Sequence, residues 1–226
     1  MKKKSIALTL TAVMLALAVG IGGTIAYFTS TTGEVKNVFT TSSGIDITLD
    51  EDKINPDTWE KVGTEKTKEG NTYNNIYPSA VLPKNPTIHV EEDSEKAYVA
   101  MKVQVSNVAE WKAIAEHWNI TNLETIFGGY EEDNWQKVYA DVDSLTFVFM
   151  WEADKNGDGK GVVKAGDDCE LFKTVTIPAE LTNDEVKSLN NFKITAIAYA
   201  VQANGLTYET AKPELAKLIG GGITLA

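Results

Sequence analysis

Ala97-Tyr98-Val99-Ala100-Met101-Lys102-Val103-Gln104-Val105 decides the fold. Ala97, Val99, Met101, Val103 and Val105 fall on alternate positions, and an extended backbone points alternate side chains to the same side, so all five share one face. The stretch reads as a strand with that face buried. Towards the N-terminus, Ile88 and Val90 belong to the same strand zone, entered through Pro83 and Pro86. An acidic turn of Glu91, Glu92, Asp93 and Glu95 separates the two. Residues 45–50, Ile-Asp-Ile-Thr-Leu-Asp, repeat the two-residue alternation. Residues 51–80 are polar, carry Pro56, Gly63, Gly70, Asn74 and Asn75, and show no sustained period, so a long loop is expected there.

Towards the C-terminus, Val108, Trp111, Ala115 and Trp118 recur at helical spacing after Asn107, a residue able to cap, with Glu110 three places on. This predicts a short amphipathic helix whose tryptophans anchor the core. Residues 145–151 form an unbroken run of large apolar and β-favouring side chains, the pattern of a fully buried strand. Residues 170–177, ended by Pro178, are its expected partner. Thr182 with Glu185 makes a capping box, and Leu181 can staple onto Val186, which predicts a helix over 183–190. A further strand covers 192–201, and Pro213 opens a last helix that Gly220, Gly221 and Gly222 end. The chain is therefore expected to be mainly β: an antiparallel β-sandwich over residues 44–226 with short inserted helices.

The N-terminus reads differently. Lys2, Lys3 and Lys4 precede an uncharged apolar run from Ile6 to Val19, followed by Gly20, Gly22 and Gly23 and the small residues Thr24 and Ala26. This is the layout of a secretory signal helix over residues 1–26, cut between Ala26 and Tyr27. The rival is an uncleaved anchor: extended through Phe28 the run could cross a hydrocarbon layer about 30 Å thick, but its glycines weaken the helix such a span needs. Residues 27–43 form an extendable segment whose apolar points are Tyr27, Phe28, Val35, Val38 and Phe39.

Acidic residues outnumber basic ones by 32 to 21, giving a net charge of −11, and no arginine occurs. Such a surface repels phosphate backbones and lacks the bidentate guanidinium fork, so nucleic acid is excluded as a natural partner. With Cys169 as the single cysteine, no intramolecular disulfide is possible. That thiol reads as buried or incidental, because neither His89 nor His117 stands in a catalytic motif. The chain has no His-Glu-x-x-His pair, no Gly-x-Ser-x-Gly elbow and no phosphate loop, so no catalytic residue is assigned and no enzyme is expected. Asp154, Asn156 and Asp158, with Gly159 following, match the first half of an EF-hand calcium loop, but Ala165 stands where the bidentate glutamate belongs. A tight turn built on Asn156-Gly157 and Asp158-Gly159 is the alternative.

The junction Gly22-Gly23-Thr24-Ile25-Ala26-Tyr27-Phe28-Thr29, followed by Gly44-Ile45-Asp46-Ile47, resembles the start of the TasA and camelysin family, surface proteins of Gram-positive bacteria whose signals are cut by the signal peptidase SipW. Residues 97–105, 162–166 and 194–207 carry further similarity, the last through Ala198-Tyr199-Ala200-Val201-Gln202-Ala203-Asn204-Gly205-Leu206. The resemblance implies a jelly-roll-like sandwich, SipW-type processing, secretion to the cell surface or biofilm matrix, and self-association into fibres or with other matrix proteins. It also implies donor-strand exchange, in which the segment freed by cleavage completes a sheet of the next subunit. The alternatives are an ordinary first strand pairing within its own subunit, a monomeric extracellular adhesin or ligand-binding module, and a camelysin-like secreted metallopeptidase. The missing zinc constellation argues against the last. Contact with a membrane is expected only through the signal peptide before cleavage.

Overall fold

The structure, a computed structural model, describes residues 29–31, 44–128, 130 and 132–226. The signal read over residues 1–26, the cleavage point at Ala26 and Tyr27, and Phe28, Val35, Val38 and Phe39 lie outside the described residues. The described chain is mainly β, with antiparallel sheets and a few short helices, as its sequence leads one to expect.

Strands are numbered in chain order. The largest sheet runs β1 (Thr29–Thr31), β13 (Ile194–Gln202), β6 (Ala97–Val105), β9 (Thr146–Trp151), β8 (Trp135–Asp141), with β10 (Val162–Val163) also on β6. A second sheet runs β11 (Asp168–Glu170), β5 (Thr87–Val90), β2 (Ile47–Ile54), β3 (Lys61–Thr67). A third, smaller one runs β4 (Val81–Pro83), β12 (Thr174–Thr176), β7 (Phe127–Gly128). Helices α1 (Val108–Trp118), α2 (Asn183–Ser188) and α3 (Tyr208–Ile219) and one 3₁₀ turn (Leu123–Ile126) complete the described elements.

The alternation in β6 does what it forecasts. Val99, Met101, Val103 and Val105 join Ile47, Ile88 and Val90 of the second sheet in one core. The opposite face of β6 divides in two. Tyr98 and Ala100 are buried in a second cluster beneath Tyr208, Ala211, Leu215 and Ile219 of α3, whereas Gln104 is exposed and Lys102 rides 5.9 Å over the Tyr199 ring. The helix thus covers only the first half of the strand, and polar residues resume where the cover ends. β9 is enclosed on both sides: Phe147, Phe149 and Trp151 enter the first cluster, Val148 and Met150 the second. Each such side chain contributes roughly 1.5–3 kcal/mol through burial, so β9 ties the two clusters together.

Several sequence expectations need correction. The loop expected over residues 51–80 contains β3, which forms a hairpin with β2 through Glu51↔Thr67 and Ile54↔Lys61, with a bulge between Asp52 and Ile54. Residues 170–177 do not form one strand beside β9. Glu170 ends β11 and Thr174 begins β12, in different sheets, while β9 pairs with β6 and β8. Leu171 and Phe172 between them are both fully buried, and a straight strand cannot point two successive side chains into one core. Asn107 is in the left-handed region at φ 55° and makes no side-chain cap to α1. The last helix begins at Tyr208, not Pro213: Thr207 and Thr210 form a reciprocal capping box, and the proline lies inside the helix. The box of Thr182 and Glu185 is present at α2 as expected.

Candidate functional site

β13 carries the most informative surface. On one side it is locked to β6 over its whole length, from Ile194↔Val105 to Gln202↔Ala97. On the other side it receives β1 in antiparallel register, Thr29↔Val201, Ser30↔Ala200 and Thr31↔Tyr199. Its two faces are unlike. Ala198 and Ala200 turn small side chains into the first core, and Tyr199 and Val201 are buried under α3. Small residues on one face let the second sheet approach, while the large ones on the other fix where α3 lies. β1 therefore adds to a strand already held rigid by its neighbours.

At the C-terminal end of β13 a cavity of about 410 Å³ is lined by Glu95, Lys96, Tyr98, Asp158, Gln202 and Leu206, among others. Within its lining Lys96 Nζ pairs with Asp158 Oδ1 at 2.7 Å, and the Tyr98 hydroxyl donates to the Leu206 carbonyl at 3.4 Å. Gln202 is 6% exposed, and its buried Oε1 has no hydrogen-bond partner among the described residues. Sequence reading gives no warning of this cavity, because its walls come from three separate stretches of chain, residues 95–98, 158–162 and 202–206.

The residues of the half-matched calcium loop are committed to protein partners. Asp158 takes Lys96 at 2.7 Å and Lys164 at 3.8 Å, and the Lys96 ammonium holds its carboxyl below the usual carboxylate range despite some desolvation. Asn156 donates its amide to Asp167 Oδ2 at 2.7 Å, and Asp154 Oδ1 accepts from the Gly159 N–H at 3.3 Å. These bonds close the turn at Gly157 and Gly159, both at positive φ. Among the described residues, no group of three or more His, Cys, Asp or Glu side chains is placed to hold a metal ion.

Cys169 lies fully buried opposite Ile88, and burial pushes its thiol well above the ordinary range. The two histidines are far apart in their settings. His117 lies against Glu185 at 2.8 Å, which also accepts from the Trp118 indole at 3.1 Å. His89 stands on the outer face of the second sheet between two carboxylates, Asp168 at 2.6 Å and Asp50 at 3.0 Å. Sequence reading missed this last group. The signal was present in the alternation of residues 45–50, which sends Thr48 and Asp50 to the same outward face, but the pairing with His89 and Asp168 is set by strand register.

No described helix is long and apolar enough to cross a membrane. No family model, no curated protein and no solved structure matches this chain.

Proposed function

We propose that this protein is a secreted structural subunit of the cell surface or biofilm matrix, a relative of the TasA and camelysin proteins, without catalytic activity. In this reading its sheets form a jelly-roll-like sandwich, and SipW-type cleavage after Ala26 frees the segment beginning at Tyr27. That segment pairs along the β13 edge of a neighbouring copy, and the copies polymerise into fibres by donor-strand exchange.

One observation carries the reading: the only described part of the N-terminal segment, Thr29–Thr31, adds as an edge strand to β13. Edge addition through backbone N–H and C=O groups is the chemistry by which one chain completes another's sheet. Because the segment lies next to the signal junction, removing the leader is what lets it move from its own sheet to another's. Exchange of an identical element keeps every hydrogen bond while changing which copy supplies it, so the energetic cost is low. A head-to-tail contact of this kind does not close on itself and grows into a filament.

The same pairing also supports a second reading, a monomeric extracellular module in which β1 stays on its own β13. Electron microscopy and light scattering of protein beginning at Tyr27, beside protein beginning at Ser43, separate the two. Filaments from the longer form alone are expected under the proposal. Monomers from both forms favour the second reading.

A further inference from the structure

β11 is a weakly founded strand. It is three residues long and lies at the edge of the second sheet, paired with β5 through Asp168↔His89, Cys169↔Ile88 and Glu170↔Thr87. Flanking backbone bonds from Val90 N–H to Asp167 at 2.9 Å, from Gly166 N–H to Val90 at 2.8 Å and from Leu171 N–H to Pro86 at 3.1 Å extend the pairing at both ends. An edge strand with so few ladder bonds is among the first elements to open, so its side-chain contacts weigh heavily.

The Trp135 indole donates to the Glu170 carbonyl at 2.8 Å, and His89 supplies the contact that depends on a proton. Its Nδ1 is 2.6 Å from Asp168 Oδ1 on β11 and its Nε2 is 3.0 Å from Asp50 Oδ1 on β2. An ionised carboxylate only accepts, and a neutral imidazole has one N–H to give. Both contacts are satisfied together only by the imidazolium, which has two.

We infer that β11 is a proton-controlled latch: charged His89 bridges Asp50 to Asp168 across three strands, and loss of the ring proton releases Asp168 and loosens the edge strand.

The neutral ring must give up one carboxylate, and exposure decides which. The Asp50 side chain is 13% exposed and that of Asp168 is 69% exposed. An enclosed carboxylate without a donor pays heavily, whereas an exposed one turns to water at little cost. The remaining N–H therefore stays with Asp50.

The two contacting carboxylates favour the ring proton, and the charges beyond them are of both signs and paired with one another. On β2, Asp52 lies beyond Asp50, and Lys66 of β3 reaches both, at 2.8 Å and 4.0 Å. Lys61 also pairs with Asp52. On β11, Glu170 shares the Asn85 amide with Asp52 and has Lys173 at 3.9 Å. Glu91, just past β5, accepts from the Thr48 hydroxyl at 2.8 Å. Burial works against the imidazolium, but the bonds to Asp50 and Asp168 outweigh it, so the ring holds its proton above its ordinary value of 6.5. A group whose pKa is raised on folding gives its full stabilisation below the unfolded value and loses it as pH climbs through the folded one. The latch is thus closed in mild acid and loosens towards alkaline pH. Opening bares the core-facing Cys169 and leaves β5 with an unpaired edge, a surface that accepts an added strand.

The chain has two histidines, so His89→Gln removes one of two imidazole resonances and assigns both. The test follows the His89 ring by NMR, together with the rate at which a thiol reagent modifies Cys169. That rate is divided by the rate for an unstructured cysteine peptide at the same pH, which removes the reagent's own pH dependence. In the wild-type protein His89 should titrate above 6.5. Relative Cys169 reactivity should stay flat below that midpoint and rise above it, the direction set by the loss of the imidazolium's second bond. His89→Gln should show no such step. Asp168→Asn, an exposed change that leaves the core untouched, should move the His89 midpoint down and shrink the step. A His89 midpoint at or below 6.5, or superimposable Cys169 profiles for wild type and Asp168→Asn, overturns the latch.

Discussion

Gly161 lies so close beneath Tyr208 that a Cβ placed on it would stand 2.6 Å from the Tyr208 ring and 2.7 Å from the Trp151 carbonyl oxygen. The glycine has φ +76°, a conformation that side-chain-bearing residues rarely adopt. Tyr208 cannot withdraw easily: its ring meets Tyr98 edge-on at 6.3 Å, Lys160 lies 4.4 Å over its face, and its hydroxyl donates to Gln136 at 3.1 Å. Gly161→Ala should destabilise the fold by about 2–4 kcal/mol, overpacking and backbone strain adding together. Thermal unfolding monitored by circular dichroism measures this, with Gly166→Ala as the comparison, since a Cβ there meets nothing within 4 Å at a similar φ of +83°. The difference between the two variants isolates the clash.

Two fully buried tryptophans offer an internal control on hydrogen bonding. Trp135 donates its indole N–H to the Glu170 carbonyl at 2.8 Å, whereas the Trp111 indole N–H has no partner among the described residues. Changing each to phenylalanine removes similar volume but leaves an orphaned acceptor only at Trp135. Trp135→Phe should cost about 1 kcal/mol more than Trp111→Phe in urea denaturation. Equal losses would show that the two indoles have equivalent surroundings.

The capping box of α2 has its own pH signature. Glu185 accepts from the Thr182 backbone N–H, then from His117, the Thr182 hydroxyl and the Trp118 indole, and these bonds hold its carboxyl down to about 2. A depressed carboxylate pKa means stabilisation present above the unfolded value of 4.5 and lost as pH falls towards 2. Glu185→Gln should flatten the acid limb of the stability curve in that window while leaving the neutral range little changed in shape. Thr182→Ala, which removes the cap itself, should cost about 1 kcal/mol at neutral pH.

The turn at residues 154–160 predicts indifference to calcium. Asp158 is taken by two lysines, and Asn156 and Asp154 are spent on closing the turn. Thermal midpoints measured with a chelator and with calcium at about 1 mM, the range in which extracellular modules bind the ion, should coincide. An upward shift with calcium would mean that the loop exchanges its lysine partners for the ion.

What the sequence made visible was what the core repeats. β6 is legible because five alternate residues enter one cluster, and β9 because both of its faces are covered. β8 was not. A bulge between Lys137 and Tyr139 sets its two buried residues, Trp135 and Val138, three places apart and destroys the two-residue period. β3 was hidden for a different reason: it has no buried residue, so hydrophobic patterning has nothing to report. Pro213 misled about α3 because proline commonly opens helices, yet the Thr207 and Thr210 cap starts this one earlier. The candidate site was partly legible. β13 could be read from its own composition, but the register that sets Thr29–Thr31 beside Tyr199, Ala200 and Val201 is a long-range fact of the fold.

The most direct test of the proposed assembly replaces Ser30 and Ala200, which face each other across β1 and β13, with cysteines in a Cys169→Ser background. The protein begins at Tyr27, is allowed to assemble, and is oxidised and separated on a denaturing gel without reductant. If strands are exchanged between copies, the cross-link joins one copy to the next and a ladder of covalent multimers appears. A single monomer-sized band containing an internal cross-link would contradict exchange and place the strand on its own subunit.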